Sequence, residues 1–473
     1  MPRRNLIWIA ILLAMTAVLL LVWRQPRTLR IGGPGEFGPV ERTYRTIRDH
    51  YYKPVDAADL QRAAVRGMVG ELDEFSTYVP PEKAKALTDR VLGAGRDLGL
   101  EWTLDETGLT VIGPRPDSPA HKAGLYSGDR ILNINGLDVK TLSPETIRSL
   151  LSPSPENEVE LTVVDAVSRE KRTVRLKPET YPVETVQGLY RDATGRWQYP
   201  LRQEEGLYYV RISEFCTDTA QRLSNVLRSL DNPQGLVLDL RDNPGGLLAD
   251  GVAVADLFLR DGPIVHVIGR DDERQTHQAH SDTPFASVPL VVLIDEKTTS
   301  AAEIVAGALG ANSRAVLLGQ RTRGKGCVQT MIRLPNELGQ INLTTAEFLL
   351  PPDQAIQRRR GAKAWGVEPQ VTLKLRDDQA AAVRRQRRRM CVAPRPVQTD
   401  DESSATNPAA PPSPPQPWNQ DPQLVKAEAL LQKPKEMNAL LDALAARNRL
   451  AQAAFEKKQA AARLAKEARE DSK

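Results

Sequence analysis

The chain has 473 residues, 41% of them hydrophobic, and a formal net charge of +4. That length holds two or three domains rather than one core. So small a charge, with Lys and Arg spread through most of the sequence, gives no footing for nucleic acid. The cysteines, Cys216, Cys327 and Cys391, are too scattered for a disulfide framework or a zinc site, and Cys327 reads as a small filler beside a turn.

Behind Arg3 and Arg4, Leu6 to Trp23 is almost unbroken apolar sequence. As a helix it would run about 27 Å, close to the hydrocarbon thickness of a bilayer. A cleaved signal peptide usually ends in small residues, whereas this run ends Leu-Val-Trp-Arg-Gln-Pro. Residues 1–30 are therefore read as a single-pass membrane anchor in preference to a removed signal sequence. The body of the protein is expected outside the cytoplasm, periplasmic or extracytoplasmic, although Arg24, Arg27 and Arg30 leave the positive-inside rule little to work with.

Residues 31–93 read as a helical segment: Val40, Tyr44, Ile47 and Tyr51 recur at helical spacing and Ala57 to Leu72 continues in kind. Within it lies D-E-F-S-T-Y-V-P-P, with a turn expected at Pro80 and Pro81. From 94 to 183 the pattern becomes short alternating strands, at Leu109 to Ile112 and Val159 to Val163, between Gly and Pro turns. At its centre stands S-P-A-H-K-A-G-L-Y-S-G-D-R-I-L-N-I-N-G, Ser118 to Gly136, with a short helix over Ala120 to Ala123 and a strand Ile131 to Ile134 ending in an Asn-Gly turn. This segment resembles a PDZ domain. The resemblance implies a groove that takes a peptide C-terminus beside an edge strand. Its carboxylate loop falls on Asp97-Leu98-Gly99-Leu100, which makes Leu98, Gly99 and Leu100 the candidate peptide-binding residues; Ser152-Pro-Ser-Pro-Glu-Asn departs from the usual Gly-containing turn.

Residues 184–392 alternate strand and helix, which argues α/β. Leu207 to Ile212, Gly235 to Leu240, Pro289 to Ile294 and Ala315 to Leu318 read as strands, and Ala220 to Leu230 as an amphipathic helix; the turn Arg241-Asp-Asn-Pro-Gly-Gly-Leu247 leads into a helix through Phe258. Arg384, Arg385, Arg387, Arg388 and Arg389 read as a solvated charged segment. Residues 393–420 are a Pro-rich linker that cannot bury a core. Residues 421–473 read as a helical tail, broken at Pro434, whose terminal helix could mediate self-association into a homo-oligomer.

Two short motifs carry chemistry. T-T-S-A-A-E-I-V-A-G-A-L puts Ser300 where an apolar strand gives way to an Ala-rich helix, and T-R-G-K-G-C-V-Q puts Lys325 between glycines after the next strand. A hydroxyl needs a base to take its proton, and a desolvated lysine can serve. On the residues alone, a serine before a helix is ordinarily an N-cap and Gly-Lys-Gly a surface turn. Taken in order with Y-Y-V-R-I-S-E-F, L-V-L-D-L-R-D-N-P-G-G and D-E-F-S-T-Y, the motifs resemble the C-terminal processing peptidases, or tail-specific proteases, from the helical segment to W-G-V-E-P-Q-V and again at D-P-Q-L-V-K-A.

That resemblance implies a crotonase/ClpP-like β-α protease core. It places the nucleophile on Ser300, the general base on Lys325 and the residue orienting the lysine on Gln329. It further implies protein or peptide substrates with exposed C-termini and no metal or other cofactor. A lysine in water keeps its proton to about pH 10.4, so a base at neutral pH needs apolar walls, here expected from Ile304, Val305 and Val316 to Leu318. An oxyanion needs two donors, for which the main-chain N–H groups of Gly245 or Gly246 and of Ala301 are the candidates. None of His50, His121, His266, His277 and His280 has the surroundings of a triad histidine or a metal ligand. The other readings are a PDZ adaptor on an inactive protease core at the membrane, and an acyl-chemistry enzyme of the crotonase type.

Overall fold

The structure is a computed structural model that describes residues 37–395 and 420–470, apart from 107, 281, 282 and 284. The chain divides into two compact units, Met1–Glu71 and Leu72–Lys473. In the first, helices Gly38–His50 and Ala57–Gly70 follow the expected periodicity. Asp56 starts the second by accepting the N–H groups of Ala58 and Asp59 at 2.6 and 3.2 Å, the ordinary N-cap arrangement.

The second unit is mixed α/β and opens with a short strand, Thr77–Val79. The Pro80-Pro81 pair does not make the expected turn but begins the helix Pro81–Val91. Proline suits that place because its ring presets φ and the first turn needs no N–H from it. The PDZ region is an antiparallel sheet ordered Leu100–Asp105, Gly108–Pro114, Arg130–Ile134, Val159–Val164, Lys171–Leu176. Leu109, Val111, Ile131, Ile134, Leu161 and Ile147 bury its core, the last from helix Pro144–Leu150.

A second sheet is built on four parallel strands, Leu207–Ile212, Gly235–Asp239, Leu290–Ile294 and Val316–Gly319, with Val371–Thr372 at one end. Alternate residues of a strand face opposite sides, and both sides are apolar here. Val210, Leu238 and Val292 join one core with Leu223, Val254 and Val305 from helices Thr219–Ser229, Leu248–Asp256 and Ala301–Ala311. Tyr209, Val237 and Val291 join another with Leu424, Ala427, Leu430 and Leu431. Helix Pro422–Leu431, which sequence suggested was the start of a tail, is thus the second cover of the central sheet. Each such leucine contributes about 2 kcal/mol of burial.

A buried ion pair bolts that cover in place. Arg241, 1% exposed, donates to Asp239 at the end of its strand, to both oxygens of Asp421 at 3.0 and 2.8 Å, and to Gln423 Oε1 at 2.8 Å. Burial pushes the Asp239 carboxyl up, but the guanidiniums of Arg241 and Arg387 outweigh it and hold the group well below the usual range. The arginine cluster is likewise not simply solvated. On helix Asp377–Met390, Arg387 pairs with Asp242 at 3.0 Å, while Arg388 reaches Glu101 at 2.8 Å and the Trp102 carbonyl at 3.1 Å. Ala393 then donates to the Pro114 carbonyl and Arg395 pairs with Asp129 and Asp165, so residues 387–395 strap the PDZ sheet to the central core.

A third sheet runs Thr77–Val79, Gln340–Leu350, Pro263–Ile268, Arg274–Gln278, with Cys327–Arg333 also paired to Gln340–Leu350. It brings the D-E-F-S-T-Y segment beside the strand that follows Lys325.

The membrane-anchored, single-pass placement is corrected: among the described residues no helix is long and apolar enough to cross a membrane. The longest, Pro434–Glu470, is interrupted throughout by Lys, Arg, Asp and Glu, which bilayer hydrocarbon excludes. The run Leu6 to Trp23 lies outside the described residues.

Substituting Asp421→Ala leaves a buried guanidinium short of a partner, which typically destabilises by about 3 kcal/mol or more. Urea unfolding followed by circular dichroism should show a correspondingly lower midpoint; an unchanged midpoint would mean that the bolt contributes nothing.

Candidate active site

Ser300 follows a strand whose end is held tightly. Beyond Ile294, Asp295 accepts the N–H groups of Lys297 and Thr298, and the Thr298 hydroxyl donates to the Leu240 carbonyl at 2.9 Å. The Thr299 N–H reaches the Asn243 carbonyl at 3.0 Å. Ser300 itself sits at φ +55° and ψ −118°, a conformation that costs an L-residue about 1–3 kcal/mol. An ordinary N-cap serine is extended; a strained serine between strand and helix is the geometry of a nucleophile turn. Gly245 lies directly against it, for a Cβ there would meet Ser300 Cβ at 2.8 Å and Ala301 N at 3.0 Å. A Cβ on Gly246 would meet the Phe215 carbonyl oxygen at 2.0 Å. The N–H of Gly245 is engaged by Asn243 Oδ1 at 2.8 Å.

Glu303, three residues on, was not singled out from the sequence. Its side chain is fully buried, and one oxygen accepts the N–H groups of Ser300 and Lys325, each at 2.9 Å. The other accepts Gly324 N–H at 2.7 Å and the Thr322 hydroxyl at 2.5 Å. Burial raises its pKa, and those four donors counter the rise without cancelling it. One carboxylate therefore joins the serine turn to the lysine loop. A Glu three residues after a serine that opens an apolar helix is a capping-box signature, the signal that could have found it.

The lysine loop is propped from behind. Arg358 N–H donates to the Gly324 carbonyl at 2.8 Å, Gly326 N–H to Gln357 Oε1 at 2.9 Å, and Val367 N–H to the Thr322 hydroxyl at 2.7 Å. Gly324 has φ +85°, and a Cβ there would meet Trp365 at 2.8 Å, so that loop requires glycine. Lys325 Nζ donates to Gln329 Oε1 at 2.6 Å. Gln329 stands on strand Cys327–Arg333, where the pairing slips at a bulge between Val328 and Gln329. The ring of Phe75 lies beside the lysine, its centroid 5.4 Å from Nζ. Of the expected apolar walls Ile304 lines the cavity, while Val305 and Leu317 belong to the helix-covered core and Val316 and Leu318 to the opposite one.

Ser300, Lys325 and Gln329 line a single cavity of about 340 Å³, with Gly245, Gly246 and Ala301 also on its wall. Its apolar lining includes Leu87, Leu248, Ile304, Val328, Met331 and Phe348, and no histidine lines it. Arg90 and Glu214, paired at 2.7 Å, are its other charged groups. Of the candidate PDZ residues, Leu98 is 2% exposed in the core of that sheet. Gly99, at φ +63°, has its N–H held by Asp97 Oδ1 at 2.6 Å, and Leu100 begins the end strand of the sheet.

Fold and site together define a serine peptidase that carries a PDZ domain. The pattern of peptidase family S41 matches residues 206–373, and that of the PDZ domain residues 110–165. The carboxy-terminal-processing protease of Bartonella bacilliformis is 32% identical over 326 residues, which are 66% of this chain and 71% of that one. The carboxy-terminal processing protease CtpA of Bacillus subtilis is 29% identical over 349 residues, 73% of this chain and 70% of its own. Among solved structures, one described as the photosystem II D1 C-terminal processing protease is 28% identical, covering 72% of this chain and 87% of its own with a TM-score of 0.43. The chain belongs to the carboxy-terminal-processing proteases of peptidase family S41.

Replacing Glu303 by Gln keeps the volume but leaves one acceptor oxygen where two served, and turns an NH2 toward main-chain donors. Losing a charge-assisted hydrogen bond of about 1.5–3 kcal/mol should lower kcat/KM roughly 10- to 100-fold, with a lower melting temperature. Peptidase assay and thermal unfolding check both; wild-type values in each would refute the joining role.

Proposed function

We propose that this protein is a serine endopeptidase in which Ser300 attacks, Lys325 is the general base and Gln329 orients the lysine. The observation that carries the reading is the convergence of these side chains on one cavity, with Ser300 on a strained turn and the Lys325 amine already held by Gln329 at 2.6 Å. The amine takes the Ser300 hydroxyl proton as Oγ adds to the scissile carbonyl. The oxyanion falls to the main-chain N–H groups of Gly246 and Ala301, since that of Gly245 serves Asn243; Gly245 instead lets the Ser300 turn pack against it, where a Cβ would collide. Lys325 returns the proton to the leaving amine, and water, deprotonated by the same lysine, releases the acyl group. The apolar part of the lining suits uncharged side chains beside the scissile bond.

Substrates are polypeptides whose C-termini dock on the PDZ domain. The strand Leu100–Asp105 ends its sheet and pairs with no strand but Gly108–Pro114 among the described residues, which leaves an edge for an added strand once Arg388 gives up the Trp102 carbonyl, and the loop Asp97 to Leu100 precedes it as the carboxylate site. A tail carboxylate would displace Asp97 from the Gly99 N–H. Residues 94–183 serve as the recognition module and 184–392 as the catalytic core. An adaptor with an inactive core has no use for a strained serine and a positioned lysine on the wall of one cavity.

A fluorophosphonate should label wild-type protein at Ser300 and leave Ser300→Ala unlabelled, read by mass spectrometry of the modified peptide; labelling elsewhere, or none, would refute the nucleophile. A substrate whose C-terminus is a carboxamide should lose about tenfold or more in kcat/KM, the scale of a lost charge-assisted hydrogen bond. Equal turnover of acid and amide would remove the PDZ domain from substrate selection.

A further inference from the structure

Gln329 is held at both ends. Its Oε1 accepts from Lys325 Nζ at 2.6 Å, and its Nε2 donates to the main-chain carbonyl of Phe75. A carbonyl can only accept, so Phe75 obliges Gln329 to turn its NH2 toward it and its oxygen toward the lysine. That choice decides whether the lysine can act. A neutral amine that donates an N–H to Oε1 keeps its lone pair free for the serine proton. Were the amide reversed, its NH2 would donate into that lone pair and occupy it.

The side chain of the same residue adds a second contact, its ring face lying 5.4 Å from Nζ. An aromatic face favours an ammonium over a neutral amine, and the ammonium is what forms as Lys325 accepts the proton. Phe75 owes its place to a turn built by Asp73. One oxygen of Asp73 accepts the N–H groups of Phe75 and Ser76, both at 2.7 Å, and the other accepts the Ser76 hydroxyl at 2.8 Å. The Ser76 hydroxyl oxygen in turn accepts Thr344 N–H at 3.1 Å, which clips the turn to the strand paired with that of Gln329.

We propose that Phe75 is a positioning residue for the base: its carbonyl sets the orientation of Gln329 so that the Lys325 lone pair stays free, and its ring stabilises the cation formed when Lys325 takes the proton. The inference rests on the Ser300–Lys325 reading and adds to it a group that touches neither substrate nor the reacting hydroxyl. Among the described residues, the titratable groups around this cluster are Cys327, whose thiol burial pushes up, Asp73 beneath the turn, Glu303 under the lysine's own N–H, and Cys216 and the Arg90–Glu214 pair on the cavity wall. None of these is altered by changing the Phe75 side chain.

The test is the pH profile of kcat/KM for a peptide substrate with Phe75→Leu, Phe75→Trp and Gln329→Glu, folding being checked by thermal unfolding. Phe75→Leu keeps an apolar cover without a ring. Its acid limb should move down by about half a pH unit, the size of one cation–π contact, with kcat several-fold lower. Phe75→Trp keeps a ring with a stronger face and should hold the limb at or above the wild-type position, which also answers the case in which the leucine variant fails to fold. Gln329→Glu cannot donate to the Phe75 carbonyl and pairs with the ammonium, so its limb should rise and kcat/KM should fall roughly 10- to 100-fold. Limbs that coincide in wild type, Phe75→Leu and Phe75→Trp would overturn the role of the ring. A Gln329→Glu variant with the wild-type profile would overturn the role of the carbonyl. Either result leaves the dyad standing, whereas full activity in Lys325→Ala would remove the dyad itself.

Discussion

The site depends on a buried carboxylate. Glu303 accepts from the main chain on both sides of the cavity, at Ser300 on one and at Gly324 and Lys325 on the other, with the Thr322 hydroxyl completing its shell. An isolated carboxylate in such surroundings would be strongly disfavoured, and these donors are what make it tolerable. The dependence is mutual. Without the carboxylate, three main-chain N–H groups lose their acceptor, at a cost of about 1–3 kcal/mol for each one left buried and unpaired. The strained backbone of Ser300 persists because Glu303, the tightly packed Gly245 and the Asp295 turn together leave it no alternative.

Around that clasp, pieces distant in sequence are drawn together by ordinary packing. The parallel sheet is apolar on both faces, so it must be covered twice, and residues beyond 420 return to cover the second face under the Arg241–Asp421 bolt. The antiparallel sheet brings Thr77–Val79 against Gln340–Asn342, and so sets the preceding turn and Phe75 beside Gln329. The PDZ sheet is strapped to the same body by Arg387, Arg388 and Arg395. Most of these pairs are partly exposed and individually weak, so the strap fixes the module's direction more than it stabilises the fold.

Much of this was legible in the residues. The strands Leu207–Ile212, Gly235–Asp239 and Leu290–Ile294 read as apolar runs because parallel strands are buried on both faces. Ser118 to Gly136 carried the PDZ module, and the serine and lysine motifs stood out by their order. What escaped has a common cause. Partners supplied by tertiary structure leave no local pattern: Arg387 and Arg388 looked like a solvated run until Asp242 and Glu101 were placed beside them, and the helix after Asp421 looked like a tail until the open face of the sheet was seen. Pro80-Pro81 is a different case, since two prolines suit a helix start as well as a turn. The anchor reading rested on residues outside those described, and no described helix supports it.

The central claim is that Ser300 and Lys325 act as a single unit. The measurement that tests it most directly is a double-substitution cycle on kcat, comparing Ser300→Ala, Lys325→Ala and the protein carrying both. Residues that share one step are lost together, so each single variant should be about as inactive as the double. If the two losses multiply instead, the groups work independently and the dyad is wrong.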